Sequence, residues 1–244
     1  MASCDACKSG FSWDGKPTGT ETTIAGNNTY VTGTSKSAAI LIVHDIFGWT
    51  FTNLRVLADQ FAKEANATVY LPDFFGGEVI PESTLTDPAK RAEVDVPAFL
   101  GKNSKAVRWS EIESAAKALK AEYPKLGAIG YCYGGWAITR LAAQKDLVDA
   151  VSTAHPSLLE KSEIDAVKVP LQFLAPETDQ LFTPELKEYA NKVIPTLGVP
   201  YEYVYFPGLV HGFATRGDRN NKLQKDGLER AKRSAVNFFN EFLH

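Results

Sequence analysis

The chain alternates between short, unbroken apolar runs and longer stretches in which apolar residues recur every three or four positions. "SAAILIVHD" (37–45) is the first unbroken run, the pattern of a strand buried on both faces. "NLRVLADQFAKEA" (53–65) follows with helical spacing. "TVYLPD" (68–73) reads as a strand, "SKAVRWSEIESAAKALKAEY" (104–123) as an amphipathic helix, "LGAIGY" (126–131) as a strand and "GGWAITRLAAQK" (134–145) as a helix. Strands follow at 147–155 and 169–179, a helix at 184–198, a last strand at 200–208, and a charged helix over roughly 219–243.

Strand and helix in strict alternation imply an α/β fold, a mostly parallel sheet with helices on both faces. The expectation is a single domain over 1–244, with 1–18 as an irregular N-terminal extension. In such sheets chemistry lies beyond the carboxyl ends of the strands. The residues to read are therefore Asp45 to Gly48, Asp73 to Gly77, Cys132, His155, Asp179 and His211. Segment 74–103, with Gly76, Gly77, Pro81, Pro88, Pro97 and Gly101, breaks the alternation and is expected to form an excursion over the site.

"IGYCYGGWAI" (129–138) puts a cysteine on a sharp strand-to-helix corner. The Gly-Tyr-Cys-Tyr-Gly run fits a nucleophile elbow with cysteine in place of serine. Gly130 and Gly134 let neighbouring backbone pass close by. A helix N-terminus there favours thiolate over thiol, and the Tyr133 amide is placed to donate to an oxyanion. The same pattern also suits a buried structural cysteine in a tight turn.

An elbow nucleophile needs a base and an orienting acid, in the order nucleophile, acid, base. Asp179 follows Cys132 in "LAPETDQLFTP", and His211 follows Asp179 in "FPGLVHGF" after the last strand. Asp179 would serve equally as a helix cap ahead of Pro184, and Glu177 is a rival acid. Of the four histidines, His44 and His155 fall outside the slot and His244 is terminal. His155, in "STAHPS", could line the pocket or bond its own loop. Trp49, Phe74, Phe75, Tyr133, Trp136 and Phe213 could supply aromatic walls, with core packing the natural role of Trp136.

Composition narrows the class without naming the reaction. The chain is 44% hydrophobic and 23% charged, with a net charge of -3. It lacks the basic face that nucleic-acid or anionic membrane partners demand. No apolar run reaches the roughly 18 residues of a membrane helix, and "MASCDACKSG" lacks the apolar core of a secretory signal. A reducing, cytoplasmic setting with three free thiols is expected. Cys4 and Cys7 form one Cys-x-x-Cys pair, but zinc needs two further ligands and no second pair exists.

"HDIFGW" (44–49), "YLPDFFGG" (70–77), "GYCYGGW" (130–136), "ETDQLFTP" (177–184) and "PGLVHGF" (207–213) together resemble the dienelactone hydrolases, or carboxymethylenebutenolidases. The likeness runs from about residue 20 to the end, and "CDAC" with "PTGTETTIAGNNTYV" looks like the fungal branch. The resemblance implies an α/β-hydrolase fold without a large lid, no metal or organic cofactor, and Cys132 as nucleophile. It implies His211 as general base and acid, Asp179 as its orienting group, and an oxyanion hole from the amides of Ile46 and Tyr133. In bacterial members a glutamate in the first strand's loop contacts the resting thiol, and Asp45 stands there, one methylene shorter. Phe47, Phe75, His155 and Phe213 are further pocket candidates. Bacterial members hold a substrate carboxylate with two arginines. Arg216 stands one residue beyond one of these places and Arg91 lies in the segment of the other, though both also suit a solvated surface.

The implied substrate is a small lactone or ester with a good leaving group, because a thiolate is itself a good leaving group. An unactivated amide does not qualify. A specialised secondary-metabolite enzyme, or a relative that binds a small acid in the same pocket without net hydrolysis, is the alternative. No nucleic acid or membrane partner is expected, and monomer and homodimer are both open.

Overall fold

A computed structural model of the chain describes residues 8–244; Cys4 and Cys7 lie outside the described residues. Eight strands form one sheet: β1 (Thr20–Ile24), β2 (Asn27–Thr32), β3 (Ala38–Val43), β4 (Thr68–Pro72), β5 (Lys125–Tyr131), β6 (Ala150–Ala154), β7 (Leu171–Thr178) and β8 (Tyr201–Val210). Their order is β1-β2-β4-β3-β5-β6-β7-β8. β1–β2 and β2–β4 pair antiparallel, and β3 to β8 pair parallel with their neighbours. This is the mostly parallel α/β sheet that the alternation implied.

The described helices are α1 (Thr52–Glu64), α2 (Ser83–Thr86), α3 (Pro88–Glu93), α4 (Val96–Lys102), α5 (Lys105–Glu122), α6 (Gly134–Leu141), α7 (Lys161–Asp165), α8 (Pro184–Val193), α9 (Phe213–Arg216) and α10 (Lys222–Leu243). None is long and apolar enough to cross a membrane. α5 buries Ile112, Ala115, Ala116 and Leu119, the single stripe expected of a helix laid on a sheet. α8 stops at Val193, short of the expected 198, because the Pro195 ring has no N–H to continue the ladder and the chain tightens to a 3-10 turn over Ile194–Thr196.

The structure departs from expectation in two places. The hairpin β1–β2 was not anticipated, since its exposed edge is polar, "TETTI", and carries no apolar signal. Its turn places Ala25 and Gly26 at positive φ, which matches the twist of paired strands. Segment 74–103 holds three short helices. Pro88 and Pro97 stand in the first turns of α3 and α4, where a missing N–H costs nothing. Asp87 and Asp95 cap those helices by accepting from Ala89 and Ala98 amides, each at 2.9 Å.

β3 to β5 are buried almost throughout. The chain runs from β3 outward to β4 and then returns to β5 on the other side of β3, so the topological switch lies at the carboxyl ends of β3 and β5. α6 starts hard against that point. A Cβ on Gly134 would overlap the Val43 carbonyl, and one on Gly130 would come within 2.5 Å of the Gly134 carbonyl oxygen.

Close approach here and open space elsewhere predict opposite outcomes for the same substitution. Gly134→Ala is expected to lower unfolding free energy by about 2–3 kcal/mol, as overpacked sites do. Gly101→Ala, in α4 with nothing within 4 Å of the added carbon, is expected to raise it by roughly 0.5–1 kcal/mol. Urea midpoints at constant m-value measure both; equal shifts would show that the approach of α6 to β3 is not tight.

Candidate active site

Five strand ends converge on one place. β3 delivers Asp45 and Ile46, β5 Cys132, β6 His155, β7 Asp179, and the turn after β8 delivers His211. All four of Asp45, Cys132, His155 and His211 are buried, Cys132 being 1% exposed.

Cys132 has φ +48°, a conformation that side-chain-bearing residues adopt at a cost of about 1–3 kcal/mol and that surrounding structure must impose. Its amide donates to the Ala154 carbonyl at 3.3 Å, and its carbonyl accepts from Gly135 at 3.0 Å and Ser157 at 2.8 Å. The loop after β6 thus grips the corner from one side and α6 from the other. The sulfur lies 3.9 Å from Ser157 Oγ. Tyr133 opens the turn into α6, so its amide belongs to the first turn, where amides have no intrahelical acceptor. Its hydroxyl donates to the Asn103 carbonyl at 2.6 Å and holds the end of α4.

His211 Nδ1 lies 3.0 and 2.9 Å from the two Asp179 oxygens. Asp179 Oδ1 also accepts from the amides of Leu181 at 2.8 Å and Phe182 at 3.1 Å. Burial alone would raise the Asp179 pKa, but the His211 bond and those amides outweigh it and hold it below the usual carboxylate value. An acceptor-only carboxylate fixes the proton on Nδ1 and leaves Nε2 for the thiol side. Burial pushes the His211 pKa down, yet the Cys132 charge and the Asp179 carboxylate together lift it to about 10. The rival acid Glu177 is exposed and accepts from the Gly208 amide at 2.5 Å, away from the imidazole.

Asp45 is saturated. Oδ1 accepts from the Phe47 amide at 3.0 Å, and Oδ2 accepts from Thr215 Oγ1 at 3.1 Å and from Arg216 Nη1. Arg216, which the sequence left as a substrate contact or a surface charge, is 2% exposed and forms a buried ion pair with Asp45. Its guanidinium lies over the Phe47 ring at 5.3 Å. Burial raises the Asp45 pKa, Arg216 pulls it back, and the Cys132 charge raises it again. Arg91 is elsewhere: Nε and Nη2 donate to the carbonyls of Thr84 and Leu85 and cap the end of α2.

His44 was passed over in sequence, and the structure gives it a positioning role. Its Nδ1 bonds the Asp45 carbonyl at 2.9 Å and its Nε2 accepts from the Phe74 amide at 3.0 Å. It therefore clamps the backbone on which Ile46 sits to the end of β4. Burial holds its pKa near 4, so it stays neutral with one donor and one acceptor, as those two bonds require. The only hint in sequence was its place at the end of the most apolar strand. Phe75 stacks edge-on against His44 at 4.4 Å and Tyr133 at 4.9 Å, and Phe213 packs against His155 at 5.7 Å. Among the described residues no cluster of His, Cys, Asp and Glu is arranged to hold a metal ion.

The N-terminal strand of chain before β1 is tied to this loop. Phe11 N donates to the Arg216 carbonyl at 3.0 Å. Asn53 Nδ2 donates to the carbonyls of both Phe11 and Thr215, each at 2.8 Å, and Trp13 Nε1 donates to the Gly217 carbonyl at 3.0 Å.

Comparison with known proteins agrees with this architecture. The model of the dienelactone hydrolase family matches residues 27–243. The chain is 31% identical to Hydrolase tropI of Talaromyces stipitatus, covering 100% of this chain and 98% of that one. It is 26% identical to the human carboxymethylenebutenolidase homolog over 88% of this chain and 87% of that one. A putative dienelactone hydrolase from Klebsiella pneumoniae has the same fold, with a TM-score of 0.72 at 15% identity, covering 91% of this chain and 98% of that one.

Removing one member of a buried ion pair leaves the other uncompensated, at roughly 3–5 kcal/mol. Asp45→Asn is expected to lower unfolding free energy by about that amount, and adding Arg216→Met to recover at least half of it. A double-mutant cycle in urea measures this; additive losses would mean the two side chains do not depend on each other.

Proposed function

The chain belongs to the dienelactone hydrolase family, and from that premise we propose that it hydrolyses small lactones or esters through an acyl-enzyme on Cys132. The observation that carries this reading is the His211 imidazole, bonded to Asp179 through Nδ1 and interacting with the Cys132 sulfur on its other side.

The resting state in this reading is a thiolate–imidazolium pair. The Cys132 thiolate attacks the ester carbonyl carbon, and the oxygen that becomes negative is received by the amides of Ile46 and Tyr133. The tetrahedral adduct collapses, the carbon–oxygen bond to the leaving group breaks, and the departing alkoxide or enolate takes the Nε2 proton from His211. A thioester and a neutral imidazole remain. Forming the thioester removes the thiolate charge that lifts the His211 pKa, while burial continues to push it down. The imidazole is then a base fit to take a proton from water. The resulting hydroxide adds to the thioester, thiolate leaves, and the acid product departs with the thiolate–imidazolium pair restored. One residue thus serves as acid and then as base because its charged neighbour comes and goes.

Asp45 in this scheme is not a free carboxylate against the thiol. Arg216 and Thr215 hold it, so it supplies fixed charge rather than a swinging contact. A thiolate nucleophile also suits a reducing compartment such as the cytoplasm.

Two experiments test the proposal. Cys132→Ala should abolish turnover of 4-nitrophenyl esters and simple lactones, and mass spectrometry of rapidly quenched parent protein should show one acyl adduct on Cys132. Turnover surviving in Cys132→Ala would sink the reading. The pH profile of kcat/KM should keep its plateau past neutrality and fall only as pH rises through about 10, because His211, with its pKa raised from 6.5, holds the leaving-group proton up to that value. An alkaline limb near pH 6.5 would mean that the pair does not form.

A further inference from the structure

His155 is the most conspicuous polar side chain that the scheme above leaves without work. It is fully buried, at 0% exposure. Among the described residues neither Nδ1 nor Nε2 bonds another residue, and the ring's one polar interaction is with its own backbone. Its backbone sits at φ +40°, in the left-handed region that a non-glycine residue occupies only when its surroundings impose it. What imposes it is the elbow itself. The residue before His155 accepts from the Cys132 amide, the His155 amide donates to the Leu174 carbonyl at 3.1 Å, and Ser157 donates to the Cys132 carbonyl. The strained backbone is therefore fixed to the elbow, and the ring it carries is set against His211.

The ring lands beside His211, with centroids 4.9 Å apart and planes at 66°, and beside Phe213 at 5.7 Å. His211 and Phe213 in turn line a cavity of about 260 Å³ that opens between the N-terminal segment and the loop after β8. An imidazole that bonds no other residue is a costly thing to bury, and native structures satisfy such groups with ordered water or a ligand. A phenylalanine would fill the same aromatic cluster without that cost.

We propose that His155 is a substrate-binding residue that hydrogen-bonds an uncharged hydroxyl group of the substrate beside the scissile bond. This rests on the hydrolase reading above and adds the kind of substrate. The chemistry selects a hydroxyl. Burial, together with the positive charges of His211 and Arg216, holds the His155 pKa well below its usual value, so the ring is neutral. A neutral imidazole offers one donor and one acceptor and no charge to pair with a carboxylate. A hydroxyl matches either nitrogen, whichever tautomer is present. A site built to bond a hydroxyl also rejects analogues without one far more strongly than an apolar pocket rejects an extra methylene.

The test is a matched series of 4-nitrophenyl esters of straight-chain acids carrying a hydroxyl on the second, third or fourth carbon, each against its deoxy parent. The parent enzyme is expected to favour at least one hydroxylated ester over its deoxy partner by roughly tenfold or more in kcat/KM. His155→Phe should collapse that ratio toward one, with the loss falling on the hydroxylated ester and appearing in KM, and His155→Gln, which keeps a donor and an acceptor, should restore part of it. Thermal melting follows the fold, and His155→Phe is expected to melt no lower than the parent. No preference for any hydroxylated ester, or a preference that survives His155→Phe, overturns the assignment while leaving the hydrolase reading intact. A variant that melts lower and loses both esters in equal proportion assigns His155 to the scaffold and overturns it as well. Absence of turnover and of a Cys132 adduct across the whole series in the parent protein is the different result that defeats the hydrolase reading itself.

Discussion

Asp45 and Arg216 are both fully buried in their side chains, and neither could be so without the other. Their pairing joins the end of the central strand β3 to the short helix α9, which directly follows His211. An arginine suits the position because its fork reaches several acceptors at once and stacks flat on an aromatic ring. Arg216 does both: it pairs with Asp45, donates through Nε to the Ser9 carbonyl at 3.3 Å, and lies over Phe47. Its own carbonyl accepts from Phe11. Three segments distant in sequence, the N-terminal stretch, the loop after β3 and the histidine loop, are thereby fixed to one cation.

The pairing also settles the charge balance of the site. A thiolate at Cys132 and a carboxylate at Asp45 repel, which is visible in the upward push of the Cys132 charge on Asp45. Arg216 neutralises one anion and His211 the other. In the proposed resting state two anions and two cations sit in a dry region, each anion beside its own cation. Neutral His44 then positions the oxyanion-side backbone without adding a fifth charge.

What the sequence made legible follows from the kind of signal each element carries. β3 to β7 were readable because central parallel strands must be apolar on both faces, the edge strand β8 because of its β-branched and aromatic residues, and α1, α5 and α10 because a helix on a sheet must carry one apolar stripe. The β1–β2 hairpin was invisible because an edge ribbon has no such duty. The short helices α2 to α4 were invisible because each is too brief to show an apolar period. At the site, Cys132, Asp179 and His211 stood out because an elbow and its partners follow strand ends in a fixed order. Arg216 and His44 did not, since a buried charge and a satisfied imidazole are defined by partners: Arg216 and Asp45 are 171 residues apart, and only the folded chain brings them together.

That separation has a consequence for how the protein is made. The chain is synthesised from its N-terminus, so Asp45 and Cys132 emerge well before His211 and Arg216. Until the last strand and α9 are in place, Cys132 has no imidazolium beside it and Asp45 has no cation to neutralise it. Without those partners the cysteine is an ordinary, weakly ionised thiol. In the hydrolase reading its nucleophilic form is therefore assembled late, once the sheet is complete and His211 stands beside it.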